Sequence, residues 1–170
     1  MRMDALEVPG TGRPEPGRGP VRVLVVDDHV LVRESTAHVL VSAGIVVVGG
    51  AGTAEEALAM IPRTRPDVAI VDIRLPGMSG LGLARHVGAL FPAVRTLLFS
   101  AYADRAYVEQ ALALGVGGYL LKTVSPQELV EAVGSVRDGG FVMDTAISAR
   151  SLRGRRPQGR SWPRGPGDSR

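Results

Sequence analysis

Cysteine is absent from the 170 residues, so disulfides and thiolate metal sites are excluded, and a cytoplasmic setting is expected. Lysine is nearly absent too: Lys122 stands alone against nineteen arginines. Long apolar runs are missing. No stretch approaches the roughly 20 residues that span a bilayer, and the amino end has no signal-peptide core, so no membrane partner is expected. Residues 9–20 are mostly Pro, Gly and Arg, which bury no core, and 1–20 is expected to be a disordered leader.

Charge is distributed unevenly. Residues 1–145 hold 13 Arg and Lys against 16 Asp and Glu, a net of −3, whereas 146–170 hold 7 against 1, a net of +6. The formal +3 therefore belongs to the carboxyl end. An Arg/Gly/Pro-rich stretch such as 142–170 is expected to be a linker or tail; contact with nucleic-acid phosphates is the sharper alternative, and Trp162 lacks the partner aromatic that base stacking needs.

Between these ends, strand-like and helix-like segments alternate. Runs at 21–26, 45–50, 67–71, 94–99 and 117–121 are short and almost continuously apolar, the pattern of strands buried on both faces of a parallel sheet. Segments at 30–43, 54–61, 81–90, 106–114 and 126–137 have helical spacing. Thr53 before Glu55 and Glu56, and Ser125 with Pro126 and Glu128, read as capped helix starts; Gly44 and Gly115 read as stops. The fold class is α/β, a doubly wound five-stranded parallel sheet with helices on both faces, and its ligands sit at the carboxyl ends of the strands.

Five polar residues fall at that edge: Asp27, Asp28, Asp72, Ser100 and Lys122. The adjacent acids Asp27 and Asp28 repel unless a cation sits between them, and a third carboxylate at Asp72 suits a hard divalent ion such as Mg²⁺. The acid pair alone is equally a surface turn or a helix cap. A carboxylate held against Mg²⁺ can attack phosphorus to give an acyl phosphate. The Ser100 hydroxyl can donate to a phosphoryl oxygen, and the Lys122 ammonium can pair with Asp72 before transfer and with phosphate after it. His29, His38 and His86 lack the spacing of a metal site; His29 follows the acid pair and reads as a surface or capping side chain at the pocket rim.

The segments VLVVDDH, IVDIRLPGMSG, LLFSAY and GGYLLKTVSP together resemble the receiver domain of response regulators, most like the NarL/FixJ type, over 21–141. The resemblance implies a CheY-like sheet order of 2-1-3-4-5. It implies Asp72 as phosphoacceptor, Asp27, Asp28 and Asp72 with the backbone carbonyl of Arg74 as Mg²⁺ ligands, and Ser100, Lys122 and Tyr119 as switch residues. The function implied is two-component signalling: phosphorylation by a sensor histidine kinase or a small phosphodonor, slow self-dephosphorylation rather than enzymatic turnover, homodimerisation, and control of transcription in a longer form. DNA binding would need a helix-turn-helix domain, which nothing here resembles; a stand-alone receiver acting through protein contacts or as a phosphate sink is the alternative. Thr123 departs from the acid that relatives often carry. FMN binding is disfavoured because the first loop opens on two acids, and an aspartate phosphatase would want an acid where Arg74 stands.

Overall fold

The computed structural model describes residues 19–153. Its elements in chain order are β1 (Arg22–Val26), α1 (Val30–Ser42), β2 (Val46–Ala51), α2 (Ala54–Thr64), β3 (Val68–Val71), α3 (Gly80–Leu90), β4 (Arg95–Ser100), α4 (Arg105–Leu114), β5 (Gly118–Leu121), α5 (Pro126–Arg137), β6 (Val142–Met143) and α6 (Thr145–Arg153). The strands pair in parallel in the order β2-β1-β3-β4-β5-β6. The doubly wound sheet expected from the sequence is present, with a sixth strand added at one edge. No helix among the described residues is long and apolar enough to cross a membrane.

Alternation along each strand divides the core. Leu24, Val26, Ala69, Val71 and Leu98 pack with Ala57 and Ile61 of α2, Leu83 and Val87 of α3, and Val108 and Ala111 of α4. Their neighbours Val23, Val25, Ile70, Leu97 and Phe99 face the other way, onto Leu40 of α1 and Leu129, Val133 and Val136 of α5. Burial on both faces explains why β1 and β3 read as unbroken VLVV and VAIV rather than as alternating patterns.

The caps fix where helices begin. Thr53 accepts from the Glu56 N–H, and Ser125 and Glu128 form a full capping box behind Pro126. Ser79 and Asp104 cap α3 and α4 in the same way. Gly115 closes α4 in the left-handed conformation, and Gly44 follows α1 with φ of 81°. α2 runs three residues past the expected Ile61. Pro62 lies in the last turn, where it removes one helical N–H donor, and Arg65, itself left-handed at φ 46°, closes the helix with its N–H on the Ile61 carbonyl.

The sequence reading ends the domain at residue 141, but the chain continues into β6 and α6. Val142 donates to the Gly117 carbonyl at 3.0 Å and Asp144 to the Tyr119 carbonyl at 2.9 Å. The buried Asp144 carboxylate accepts from the Leu121 N–H at 3.1 Å and from the Ala146 N–H at 2.9 Å, so one side chain ties α6 to the end of β5. A two-residue strand carries no readable periodicity, so β6 leaves no pattern to detect from residue types. Residues 1–18 of the expected leader and 154–170 of the expected tail, Trp162 among them, lie outside the described residues.

Candidate functional site

Three strand ends build the site. β1 delivers Asp27 and Asp28, β3 delivers Asp72, and β5 delivers Lys122. The backbone register continues past the strands: Asp27 N–H donates to Ala51, Asp72 N–H to Val26 and Lys122 N–H to Ser100. Residues 45 to 95 positions apart in sequence are thereby set side by side before any side chain interacts.

Lys122 Nζ donates to Asp27 Oδ2 at 2.7 Å and to Asp72 Oδ2 at 3.2 Å. Both carboxylates are buried, with side chains 4% and 6% exposed against 17% for the lysine. Burial lowers the affinity of Lys122 for its proton, but the hydrogen bond to Asp27 and the charges of Asp72 and Asp27 outweigh it, and the ammonium is held above its ordinary 10.5. Asp72 is raised as well, but for a carboxyl the shift disfavours the charged form. Burial raises it above 3.8; Lys122 pulls it down, Asp27 pushes it up, and burial prevails.

That sign carries a prediction. A folded state that holds the Asp72 proton more tightly than the unfolded chain loses stability as pH rises from about 4 through the raised value, and stays at the lower level above it. In EDTA, Asp72→Asn is therefore expected to flatten this decline and to stabilise the domain at pH 7 by about 1 kcal/mol, read as a higher thermal midpoint. A variant that melts below the wild type at pH 7 would show that the Lys122 pairing dominates instead.

The cluster extends to a nitrogen. Ligand atoms of Asp27, Asp28, His29 and Asp72 all lie within 4.8 Å of one another. His29 Nδ1 is 3.2 Å from Asp27 Oδ1 and 3.1 Å from Asp28 Oδ1, while its backbone N–H donates to Asp27 Oδ1 at 2.9 Å. His29 occupies the N-cap position of α1 without a side-chain cap bond, so it serves the acid pair rather than the helix. Three hard carboxylates around one point fit a Mg²⁺-type ion by donor chemistry.

The remaining expected residues sit at the neighbouring rim. Ser100 is fully buried at the last position of β4, and its Oγ accepts from the Tyr102 N–H at 3.1 Å. Tyr119, also buried, donates its hydroxyl to the Tyr102 carbonyl at 2.7 Å; burial pushes the phenol up, so it remains a donor. Tyr102 is thus the shared partner of both, and its ring lies 4.1 Å beneath the Arg74 guanidinium. The LLFSAY segment contains Tyr102 without marking a role for it; only the fold brings it under Arg74, the residue two after Asp72. His38 and His86 lie on α1 and α3, and His86 Nδ1 is 2.8 Å from the Gly82 carbonyl within its own helix, outside the acidic cluster.

A family model described as the response regulator receiver domain matches residues 23–134. The DNA-binding transcriptional activator DevR/DosR of Mycobacterium tuberculosis is 36% identical over 130 residues, covering 76% of this chain and 60% of that protein. A probable transcriptional regulatory protein NarL from the same species is 44% identical over 121 residues, covering 71% and 55%. Among solved structures, the signal receiver domain of the M. tuberculosis response regulator NarL matches with TM-score 0.68 at 42% identity, covering 72% of this chain and 99% of that one. A LuxR-family two-component response regulator from Aurantimonas matches with TM-score 0.75 at 32% identity, covering 79% and 97%. The chain spans 55–60% of the length of these two curated relatives.

Proposed function

The chain belongs to the response regulator receiver domain family, related to transcriptional regulators of two-component systems, and from that premise we propose that Asp72 is its phosphoacceptor. Receiver domains are phosphoacceptor switches. The observation that carries the assignment to Asp72 is the bridge from one ammonium, Lys122, to both Asp72 and Asp27 at the carboxyl edge of the sheet. A lone capping aspartate would have no reason to be buried there against a second acid and a lysine.

In the proposed reaction an Asp72 carboxylate oxygen attacks the phosphorus of a histidine kinase phosphohistidine or of a small donor such as acetyl phosphate. The P–O(Asp72) bond forms as the bond to the leaving group breaks. Asp27, Asp28 and Asp72 with the Arg74 carbonyl would hold Mg²⁺, whose positive charge would offset that of the carboxylates and of the incoming phosphoryl group. Lys122 fixes Asp72 by one oxygen and then passes to a phosphoryl oxygen as the carboxylate loses its charge.

The switch follows from the shared partner. The Ser100 Oγ accepts from the Tyr102 N–H, and as a hydroxyl it can also donate, to a phosphoryl oxygen once one stands on Asp72. Because Tyr102 joins Ser100 through its N–H and Tyr119 through its carbonyl, a movement of Ser100 is passed to Tyr119 and to the surface around β4, α4 and β5. That surface would select between partners: a second copy of the chain, or, in a longer form, a DNA-binding domain.

Intact-protein mass spectrometry after incubation with acetyl phosphate and Mg²⁺ tests the reading. The wild type is expected to gain one phosphoryl mass, and Asp72→Ala none. A wild type that gains no mass, or an Asp72→Ala variant that gains as much, would sink the assignment.

A further inference from the structure

Arg33 on α1 belongs to none of the groups described so far, yet its guanidinium Nη1 donates to the backbone carbonyl of Asp27 at 2.7 Å. The sequence makes room for it. β2 carries Gly49 and Gly50 in its interior, where glycine weakens a strand and often marks a close approach. The two glycines serve opposite faces of the sheet. A Cβ at Gly49 would collide with the Met60 methyl of α2, whereas one at Gly50 would lie 3.1 Å from Arg33 Cδ and 3.2 Å from its Nε. At Gly52 it would lie 3.5 Å from Nη1. Arg33 therefore runs in a channel floored by glycine that ends at the acid pair.

The bonded atom is informative. The Asp27 carbonyl and the Asp28 Cα belong to one rigid peptide plane, so fixing that carbonyl fixes where the Asp28 side chain starts. Asp27 is already held by the Ala51 carbonyl on its N–H, by His29 N–H on Oδ1 and by Lys122 on Oδ2. Asp28 is more exposed, its side chain at 35%, and meets His29 Nδ1 at 3.1 Å. We infer that Arg33 is a positioning residue for the divalent cation: it orients the 27–28 peptide so that the Asp28 carboxylate is preset for the metal. The inference rests on the proposed metal-dependent phosphoacceptor reading.

Positioning and charge predict opposite signs. Through its charge alone, Arg33 repels a cation, and removing it would tighten binding. As a support for a ligand, its loss weakens binding by about tenfold, the usual size for an outer partner of a metal ligand. Mg²⁺ titration by calorimetry on the full chain, with melting in EDTA as a control for folding, separates the two. Arg33→Ala is expected to bind Mg²⁺ about tenfold more weakly, and Arg33→Lys, which keeps a donor and the charge, to recover part of the loss. Gly50→Ala keeps the guanidinium and its charge but crowds Arg33 Cδ and Nε, and is expected to weaken binding in the same direction. Arg33→Ala binding Mg²⁺ as well as or better than the wild type overturns the inference, as does an Arg33→Lys that recovers nothing beside an unaffected Gly50→Ala. A wild type that binds no Mg²⁺ removes the functional reading itself, and this inference with it.

Discussion

Lys122→Ala is expected to lower the thermal midpoint of the domain in EDTA by about 10 °C, corresponding to a loss of about 3 kcal/mol. The lysine contributes little through its own packing. It matters because Asp27 and Asp72 are buried beside each other, and without the ammonium two desolvated carboxylates face one another with no counter-charge. The partial exposure of Lys122 admits some water and keeps the cost at the lower end of what breaking a buried ion pair brings. Mg²⁺ is expected to restore part of the lost midpoint, since it supplies positive charge at the same place. Lys122→Arg keeps the charge and most of the stability, but its planar fork cannot reproduce a point donor 2.7 Å from one acid and 3.2 Å from the other, so its phosphoryl uptake should fall at least tenfold. Differential scanning calorimetry and the mass assay give both readings; a Lys122→Ala protein that melts with the wild type would mean that the pair is solvated. The stabilisation from Lys122 is present below pH 10.5 and is lost only as pH rises through its raised folded-state value.

The second large effect needs only a methyl group. A Cβ on residue 80 would overlap the carbonyl oxygen of Asp72 and lie 2.8 Å from both the Asp72 carbonyl carbon and the Ile73 Cα. These are backbone atoms of two buried residues, not the flexible end of a side chain. Gly80 also donates its N–H to the Ile73 carbonyl at 2.8 Å, so the first residue of α3 closes the loop directly onto the candidate acceptor. Gly80→Ala must push α3 away from Asp72. The expected cost is about 2 kcal/mol, as for overpacking in a core, and a shift of the acceptor by about 1 Å is enough to slow phosphoryl uptake about 100-fold. Time courses with acetyl phosphate would show it; an unchanged rate would mean that the loop relaxes without moving the carboxylate.

Much of this architecture could be read from residue types. Parallel strands buried on both faces announce themselves as continuous apolar runs, and polar residues placed just beyond such runs had to meet at one edge; Asp27, Asp28, Asp72 and Lys122 do so. Two kinds of information stayed hidden. β6 and α6 depend on contacts of Val142 and Asp144 with β5, which are non-local and leave no pattern in a two-residue strand. Arg33 acts on the backbone carbonyl of Asp27, and Tyr102 acts through its own backbone N–H and carbonyl, which meet the side chains of Ser100 and Tyr119; a sequence carries no mark of which carbonyl a guanidinium or phenol will find. The glycines of β2 were the one available hint, because an apolar strand interrupted by Gly49 and Gly50 implies that something lies against it.

Asp144 gives the domain a mechanical property. A tug on α6 reaches the sheet through a carboxylate clamped on the Leu121 N–H, one residue from Lys122, and through a backbone link to Tyr119. The load path from the carboxyl-terminal helix therefore enters β5 directly through hydrogen bonds, beside the apolar contact that the buried Ile147 makes with the core. Strain applied at α6 and any strain set up at Asp72 by the proposed phosphorylation would act on the same short strand from its two sides, so whatever α6 is fastened to is geared to the acidic pocket through the four residues of β5.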